Sequence, residues 1–96
     1  MPEFPGGEIA LKNFISENLH YPDSALKYEK QGIVRVQFII EEDGSICDAI
    51  VKRPLGYGLD EEAIRVVNLM PKWKPTLNGS KPLKIKYTLP IKFLLE

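Results

Sequence analysis

The 96-residue chain has one cysteine, Cys47, one histidine, His20, and a formal net charge of zero from 13 basic and 13 acidic residues. A single cysteine excludes an internal disulfide and a cysteine-based metal cluster. Zero net charge removes the electrostatic basis for non-specific nucleic-acid binding. No apolar run approaches the ~18 residues needed to cross a bilayer, and residues 1–5 lack the features of a secretory signal. We therefore expect a cytosolic protein or a soluble part of something longer.

The reactive side chains do not form a catalytic set in the sequence. No serine, cysteine or carboxylate stands at a triad-like spacing from His20, which favours an exposed histidine at a helix end. The consecutive acidic residues 60–62 point in different directions around a helix and suit its first turn. Cys47 is predicted to face the core, and Trp73 to anchor it. We therefore predict no enzyme activity, no cofactor and no metal site.

Apolar spacing predicts three helices. The first runs from about Glu8 to Leu19, where apolar residues recur with a helical period. The second is short, Asp23 to Lys30, with its first residue as the N-cap. The third runs from Leu59 to Met70, and Arg65 is expected to pair with Glu61 four residues earlier.

Two strands are predicted in the middle of the chain. Ile33 to Glu41 alternates apolar and polar residues and is predicted to be a central strand. An Asp-Gly pair follows, so a second strand, about Ser45 to Arg53, is expected to fold back as a hairpin. Parity places Cys47 on its inward face and Ile46 and Ile50 on the other. Either a bulge or a partly covered outer face would account for these two isoleucines.

The last strand has the strongest pattern and follows a predicted turn at Asn78-Gly79. From Leu83 to Phe93 every odd position is apolar, which predicts a long strand with one face on the core and one in water. Pro90 has no N–H for a ladder, so the strand is predicted to lie at a sheet edge. Lysines and proline protect such edges from chance pairing. Two interpretations stay open: an edge kept for a chosen partner, or an ordinary edge protected against aggregation.

The order of these elements predicts a single two-layer α+β domain over residues 1–96. The third helix joins the second strand to the last one, and such a crossover places those two strands parallel to each other. With the first strand between them, the three-stranded antiparallel/mixed sheet has the order second, first, third. Both main helices then pack on one face of the sheet.

Seven short motifs lie along the chain in order. They are Phe4-Pro5-Gly6-Gly7, Tyr21-Pro22 with Ala25, Gly32 with Val34, Val36 and Phe38, Asp43-Gly44, Leu59-Asp60-Glu61-Glu62-Ala63, Pro71-Lys72-Trp73-Lys74-Pro75, and Tyr87-Thr88-Leu89-Pro90-Ile91. Each motif is weak alone, but the collinear set resembles the C-terminal domain of the TonB family over essentially the whole chain.

The resemblance implies the periplasmic domain of an energy transducer of Gram-negative bacteria. In that family an N-terminal helix anchors the protein in the inner membrane and couples it to a proton-driven motor. The C-terminal domain binds the TonB box of an outer-membrane transporter as a strand added beside its own last strand. The resemblance implies that the partner-binding residues are Leu83, Lys84, Ile85, Lys86, Tyr87, Thr88, Leu89, Pro90 and Ile91. The chain would then be a fragment of a longer protein whose membrane anchor lies outside it.

Four further motif residues, Tyr21, Pro22, Trp73 and Pro75, are implied to be either structural or partner-facing. One family contact does not carry over, because well-studied transducers have a glutamine just after the Tyr-Pro motif and this chain has Asp23-Ser24. Related domains also end sensor or peptidase-like membrane proteins. Besides transporter binding, two hypotheses stay open: a self-association module whose last strand pairs in a homodimer, and a cytosolic enzyme.

Overall fold

The computed structural model describes residues 3–79 and 81–95. These residues form the helices α1 (Gly7–Asn18), α2 (Asp23–Lys27) and α3 (Leu59–Asn68), and the strands β1 (Gly32–Ile40), β2 (Ile46–Val51), β3 (Thr76–Asn78), β4 (Lys81–Leu83) and β5 (Ile85–Phe93). Three strands form an antiparallel sheet with the order β2-β1-β5. Because β2 and β5 both run antiparallel to β1, they run parallel to each other. The predicted α+β fold and sheet order are confirmed.

The core lies between one face of this sheet and the helices. Alternate residues of the two longest strands supply the sheet side: Val34, Val36, Phe38 and Ile40 from β1, and Leu89, Ile91 and Phe93 from β5. One face of α3 covers them with Leu59, Ala63, Val66 and Val67. Each buried side chain of this size contributes roughly 1.5–3 kcal/mol. On the opposite face of the sheet, the β5 residues Lys86, Thr88, Pro90 and Lys92 are exposed.

A β-bulge makes β2 irregular. Its pairing with β1 shifts between Gln37 and Ile39, and Asp48 at the bulge has a left-handed φ of 54°. Since one inserted residue reverses the parity of a strand, Ile46 packs against the core while Cys47 lies opposite Ile39 on the outer face. The prediction that Cys47 faces the core was wrong, and of the two alternatives for the isoleucines the structure has the bulge.

Helix boundaries differ modestly from prediction. α2 ends at Lys27 rather than Lys30, because the backbone at Glu29 turns to a left-handed φ of 53°. Asp23 is its first helical residue, and Pro22, not Asp23, is at the N-cap. α3 ends two residues early, at Asn68. Elsewhere α1 and β1 each begin and end one residue early, and β2 is one residue shorter at its start and two shorter at its end.

The predicted strand from Leu83 to Phe93 is divided at Lys84. Residues 81–83 form β4, which pairs with β3 across the predicted turn and builds a two-stranded ribbon. This ribbon was not predicted, because strands of three residues contain too little alternation to be recognised. β5 keeps the predicted alternation from Ile85 onwards.

Candidate functional site

β5 lies at an edge of the three-stranded sheet. It pairs with β1 along its whole length, from Gly32 opposite Phe93 to Ile40 opposite Ile85. Among the strands of residues 3–79 and 81–95, none pairs with its other side. The edge position predicted from the proline is therefore confirmed.

Pro90 determines which backbone groups of β5 are unpaired. In an antiparallel ladder, pairs that exchange two hydrogen bonds alternate with pairs that exchange none. Pro90 stands opposite Arg35 and has no N–H, so this pair belongs to the second kind. The even-numbered residues of β5 therefore direct their backbone groups away from β1. The open edge presents the N–H groups of Lys86, Thr88 and Lys92, and the carbonyls of all four even-numbered residues.

Lys86 and Lys92, with Lys84 just before β5, form a lysine row on the outer face of the sheet. Lys86 and Lys92 are exposed, and neither has an ion-pair partner within the part of the chain that the structure describes. Lys84, just before β5, lies 3.4 Å from Glu41 Oε1. Hydrogen bonds from Cys47 Sγ and from Lys84 hold the pKa of the Glu41 carboxyl below its usual range. A partner strand at this edge would therefore meet positive charge on its outer side.

A groove with a volume of about 1000 Å³ runs along the other side of this edge. One face of α1 lines it with Glu8, Leu11, Lys12, Ile15 and Ser16, and Leu19 at the C-cap of this helix lines it too. β1, which is described in full, contributes no residue, and the lining residues from β5 are Tyr87, Leu89, Pro90, Ile91 and Lys92. The groove thus lies on the open side of β5. No local sequence pattern predicts this groove, because α1 and β5 stand at opposite ends of the chain.

A family profile described as Gram-negative bacterial TonB protein C-terminal matches residues 17–95. The chain belongs to this family. Six of the seven sequence motifs fall inside the match, and only the motif at residues 4–7 lies before it. No curated protein matched the chain in a sequence search.

TonB C-terminal domains are periplasmic and act in energy transduction. Members of the family are non-enzymatic, and they generally interact with outer-membrane transporters. The open edge of β5 and the groove beside it therefore belong to a TonB-like periplasmic domain, and the fold expected from the resemblance is the one observed.

Trp73, in the TonB motif before β3, is a core anchor as predicted, with 3% of its surface exposed. Its ring lies 5.7 Å from Phe4, 5.7 Å from Phe38 and 5.2 Å from Tyr87, measured between ring centroids. The indole Nε1–H is buried and has no acceptor within the described part of the chain. Trp73 also lines the groove. Its packing against Tyr87 therefore holds an inward-facing side chain of β5 in place next to the open edge.

Three other motif residues singled out in the sequence, Tyr21, Pro22 and Pro75, do not line the groove. Tyr21 packs edge-on against Phe93 at 5.7 Å, and its hydroxyl donates a hydrogen bond to the carbonyl of Lys30. Burial raises the pKa of Tyr21. Pro22 stands at the N-cap of α2, and Pro75 is half-buried just before β3. Tyr21 and Pro22 thus make contacts within the domain, at Phe93 and Lys30 and at the start of α2.

Hydrogen bonds of Arg65 and Glu62 join α3 to the end of α1. Arg65 donates hydrogen bonds to both carboxylate oxygens of Glu62, at 2.8 and 2.7 Å, and to the carbonyl of Asn18 at 2.6 Å. Glu62 also accepts the backbone N–H of His20 at 2.6 Å. The bonds from Arg65 hold the pKa of Glu62 below its usual range. The predicted pairing of Arg65 with Glu61 was wrong, because Glu62 is the carboxylate that also faces the end of α1.

The other reactive side chains have structural surroundings. His20 is exposed at the end of α1, as predicted. Asp60 is buried and accepts the backbone N–H groups of Leu55 and Gly56 at 2.9 and 2.8 Å, which holds the loop before α3. Within residues 3–79 and 81–95 no group of three His, Cys, Asp or Glu side chains is placed to hold a metal ion. None of the described helices is long and apolar enough to span a membrane.

Proposed function

We propose that this domain binds the TonB box of an outer-membrane transporter as a strand added to β5, and that it passes proton-motive energy from the inner membrane to that transporter. The observation that carries the proposal is the open edge of β5, where Lys86, Thr88 and Lys92 present unpaired N–H groups in a chain of the TonB family. The proposed partner-binding residues are all of residues 83–91, as the family resemblance implies.

The physics of strand addition suits a device that must bind and then release. A segment of about five residues adds about four or five main-chain hydrogen bonds, each with a net value of ~0.5–1.5 kcal/mol. Association costs at least ~4 kcal/mol in lost freedom of motion. A modest affinity follows. Main-chain pairing also tolerates many side chains, which would let one transducer serve several transporters.

The proposal also concerns a part of the protein that lies outside residues 1–96. Residues 1–96 form one domain of a longer polypeptide, which an N-terminal segment anchors in the inner membrane and couples to a proton-driven motor. The support for this part is membership of the TonB C-terminal family.

A second copy of the chain is less suited than a transporter segment to pair with the open edge of β5. In an antiparallel β5–β5 pair related by two-fold symmetry, both copies would place Lys86 and Lys92 on the same face of the joined sheet. Like charges on facing residues of neighbouring strands are destabilising. Pro90 would also leave one N–H missing in each copy. The self-association hypothesis therefore ranks behind transporter binding.

The test is an amide NMR titration of the labelled domain with a peptide that carries a transporter N-terminal segment. We expect saturable shifts at Lys86, Thr88 and Lys92. Thr88→Pro removes one N–H from the open edge without touching the ladder to β1, so we expect affinity to fall about two- to twelvefold. Thr88→Ala keeps that N–H and is the matched control. Unchanged affinity in a folded Thr88→Pro domain would contradict strand addition.

The choice of position matters for this experiment. Proline at Tyr87 or Ile85 would remove an N–H that bonds to β1, because these odd-numbered residues belong to the hydrogen-bonded pairs. Such variants would lose the sheet together with the binding site. Thr88 avoids this ambiguity.

A further inference from the structure

We propose that the groove between α1 and β5 is a side-chain pocket, which takes bulky apolar side chains at every second position of the strand added to β5. The inference rests on the proposed strand addition and adds the chemistry of the partner segment. That segment is extended, apolar on its groove side, and free of positive charge on the side that meets the lysine row.

The dimensions of the groove suit a short strand. β5 lines it from Tyr87 to Lys92, a length of ~17 Å at 3.4 Å per residue. α1 and its C-cap line it from Glu8 to Leu19, also ~17 Å at 1.5 Å per residue. The two walls are therefore equally long, and a segment of about five residues paired with β5 would extend along the whole groove.

The pleat of the sheet determines which side chains enter the groove. A strand added to β5 continues the pleat, so residues that face each other across the pair place their side chains on the same side of the sheet. Side chains beside Tyr87, Leu89 and Ile91 would project toward α1. Those beside Lys86 and Thr88 would project toward the outer face. Every second side chain of the added strand is thus directed into the groove.

The lining determines the chemistry of the occupant. Leu11 is the one buried residue of α1, whereas Ile15 and Leu19 are only half-buried, so the helix keeps uncovered apolar surface facing the groove. On the opposite wall Tyr87 is also half-buried. Apolar surface left in this state is stabilised by apolar contact. Branched aliphatic or aromatic side chains are the occupants that such walls favour.

The test uses three capped seven-residue peptides and the labelled domain. The first alternates valine and threonine, the second replaces each valine by alanine, and the third replaces each threonine by alanine. Both replacements lower β-propensity, so the difference between their effects on affinity measures the contribution of the groove. The amides of Lys86 and Thr88 report strand addition. The indole N–H of Trp73, the single tryptophan of the chain, reports occupation of the groove.

We expect the valine–threonine peptide to shift the edge amides and the Trp73 indole with the same Kd. Loss of the valines should weaken binding at least about tenfold, and loss of the threonines no more than about threefold. Equal effects of the two replacements, or edge shifts without an indole shift, would overturn the pocket and leave strand addition standing. No edge shift at millimolar peptide would overturn both.

A pair of domain variants gives an independent readout. Ile15→Ala removes apolar surface from the groove wall, whereas Ile9→Ala changes a residue on α1 that is 76% exposed and does not line the groove. We expect the first variant to weaken binding of the valine–threonine peptide several-fold, and to leave binding of the alanine-for-valine peptide nearly unchanged. The second should leave both affinities unchanged. Equal affinities in both variants would contradict the pocket.

Discussion

Gly44 connects the hairpin turn to the segment that carries Trp73. Its carbonyl accepts the backbone N–H of Trp73 at 2.8 Å, and its own backbone has a left-handed φ of 90°. A Cβ at this position would lie 1.9 Å from the carbonyl oxygen of Trp73. Because the contact is with backbone, no side-chain rotation can relieve it. One glycine thus sets the position of the tryptophan that packs against Tyr87 beside the open edge.

Gly44→Ala should destabilise the domain strongly, and Gly56→Ala is its matched control. Gly56 has a similar φ of 81° but open space where a Cβ would stand. We expect Gly56→Ala to cost ~1–2 kcal/mol from left-handed backbone alone, and Gly44→Ala at least ~2 kcal/mol more from the clash. Urea denaturation of the two variants measures the difference. Equal losses would contradict a tight contact between the turn and Trp73.

Asp43 makes stability depend on pH in acid. Its carboxylate accepts hydrogen bonds from the hydroxyl and backbone N–H of Ser45, at 2.6 and 3.0 Å, and from Lys72 at 3.3 Å. These lower the pKa of Asp43 from 3.8 to about 2. Since the folded pKa is below the unfolded one, this stabilisation is present above pH 3.8 and is lost as the pH falls toward 2.

We therefore expect Asp43→Asn to lower the melting temperature above that range and to flatten its fall between pH 4 and pH 2. Thermal melts followed by circular dichroism across this range would measure it. Glu42→Gln, at the neighbouring exposed position, should keep the steeper acid dependence of the parent chain. A parent-like acid profile in Asp43→Asn would show that the Ser45 contacts do not hold the charged form.

At the scale of elements, local patterns predicted most of the fold. The alternation in β5 identifies its buried face because a period of two needs no knowledge of the rest of the chain. In β2 the same reasoning failed for Cys47, since one inserted residue at Asp48 reverses parity and both alternatives fit the sequence. The partner of Arg65 was missed for a related reason. Its choice depends on Asn18, which belongs to another helix.

Pro90→Ala tests the hydrogen-bonding pattern of the open edge. The substitution adds an N–H that points away from β1 and leaves the pair with Arg35 unchanged. We expect a bound segment to gain one hydrogen bond of ~0.5–1.5 kcal/mol, which lowers Kd about two- to twelvefold. NMR titration with the same transporter peptide measures it. Pro82→Ala, in the ribbon strand β4, should leave Kd unchanged, and equal effects of both substitutions would contradict the assignment of the edge.

At the scale of the whole molecule, zero net charge conceals an uneven distribution. The first turn of α3 is acidic, whereas the outer side of the open edge carries Lys86 and Lys92 without ion-pair partners among the described residues. Long open edges promote chance pairing, and lysine is a common means of preventing it. In the proposed function, the lysine row would permit an uncharged or acidic segment to bind while it opposes a second copy of the chain. The two interpretations of the edge from the sequence are then compatible.

The lysine row should control assembly of the whole chain. We expect the parent domain to sediment as a monomer, because self-pairing of β5 would bring lysines of two copies onto one face. The double variant Lys86→Thr, Lys92→Thr removes that repulsion and keeps the strand residues β-compatible, so it should self-associate at concentrations where the parent does not. Lys27→Thr, Lys30→Thr changes the net charge equally, at residues outside the three-stranded sheet, and is the control. Sedimentation velocity over a concentration series measures all three. If the β5 variant stays monomeric, the edge lysines are not what prevents self-association. If the parent domain dimerises, the result would favour self-association as the function of the edge.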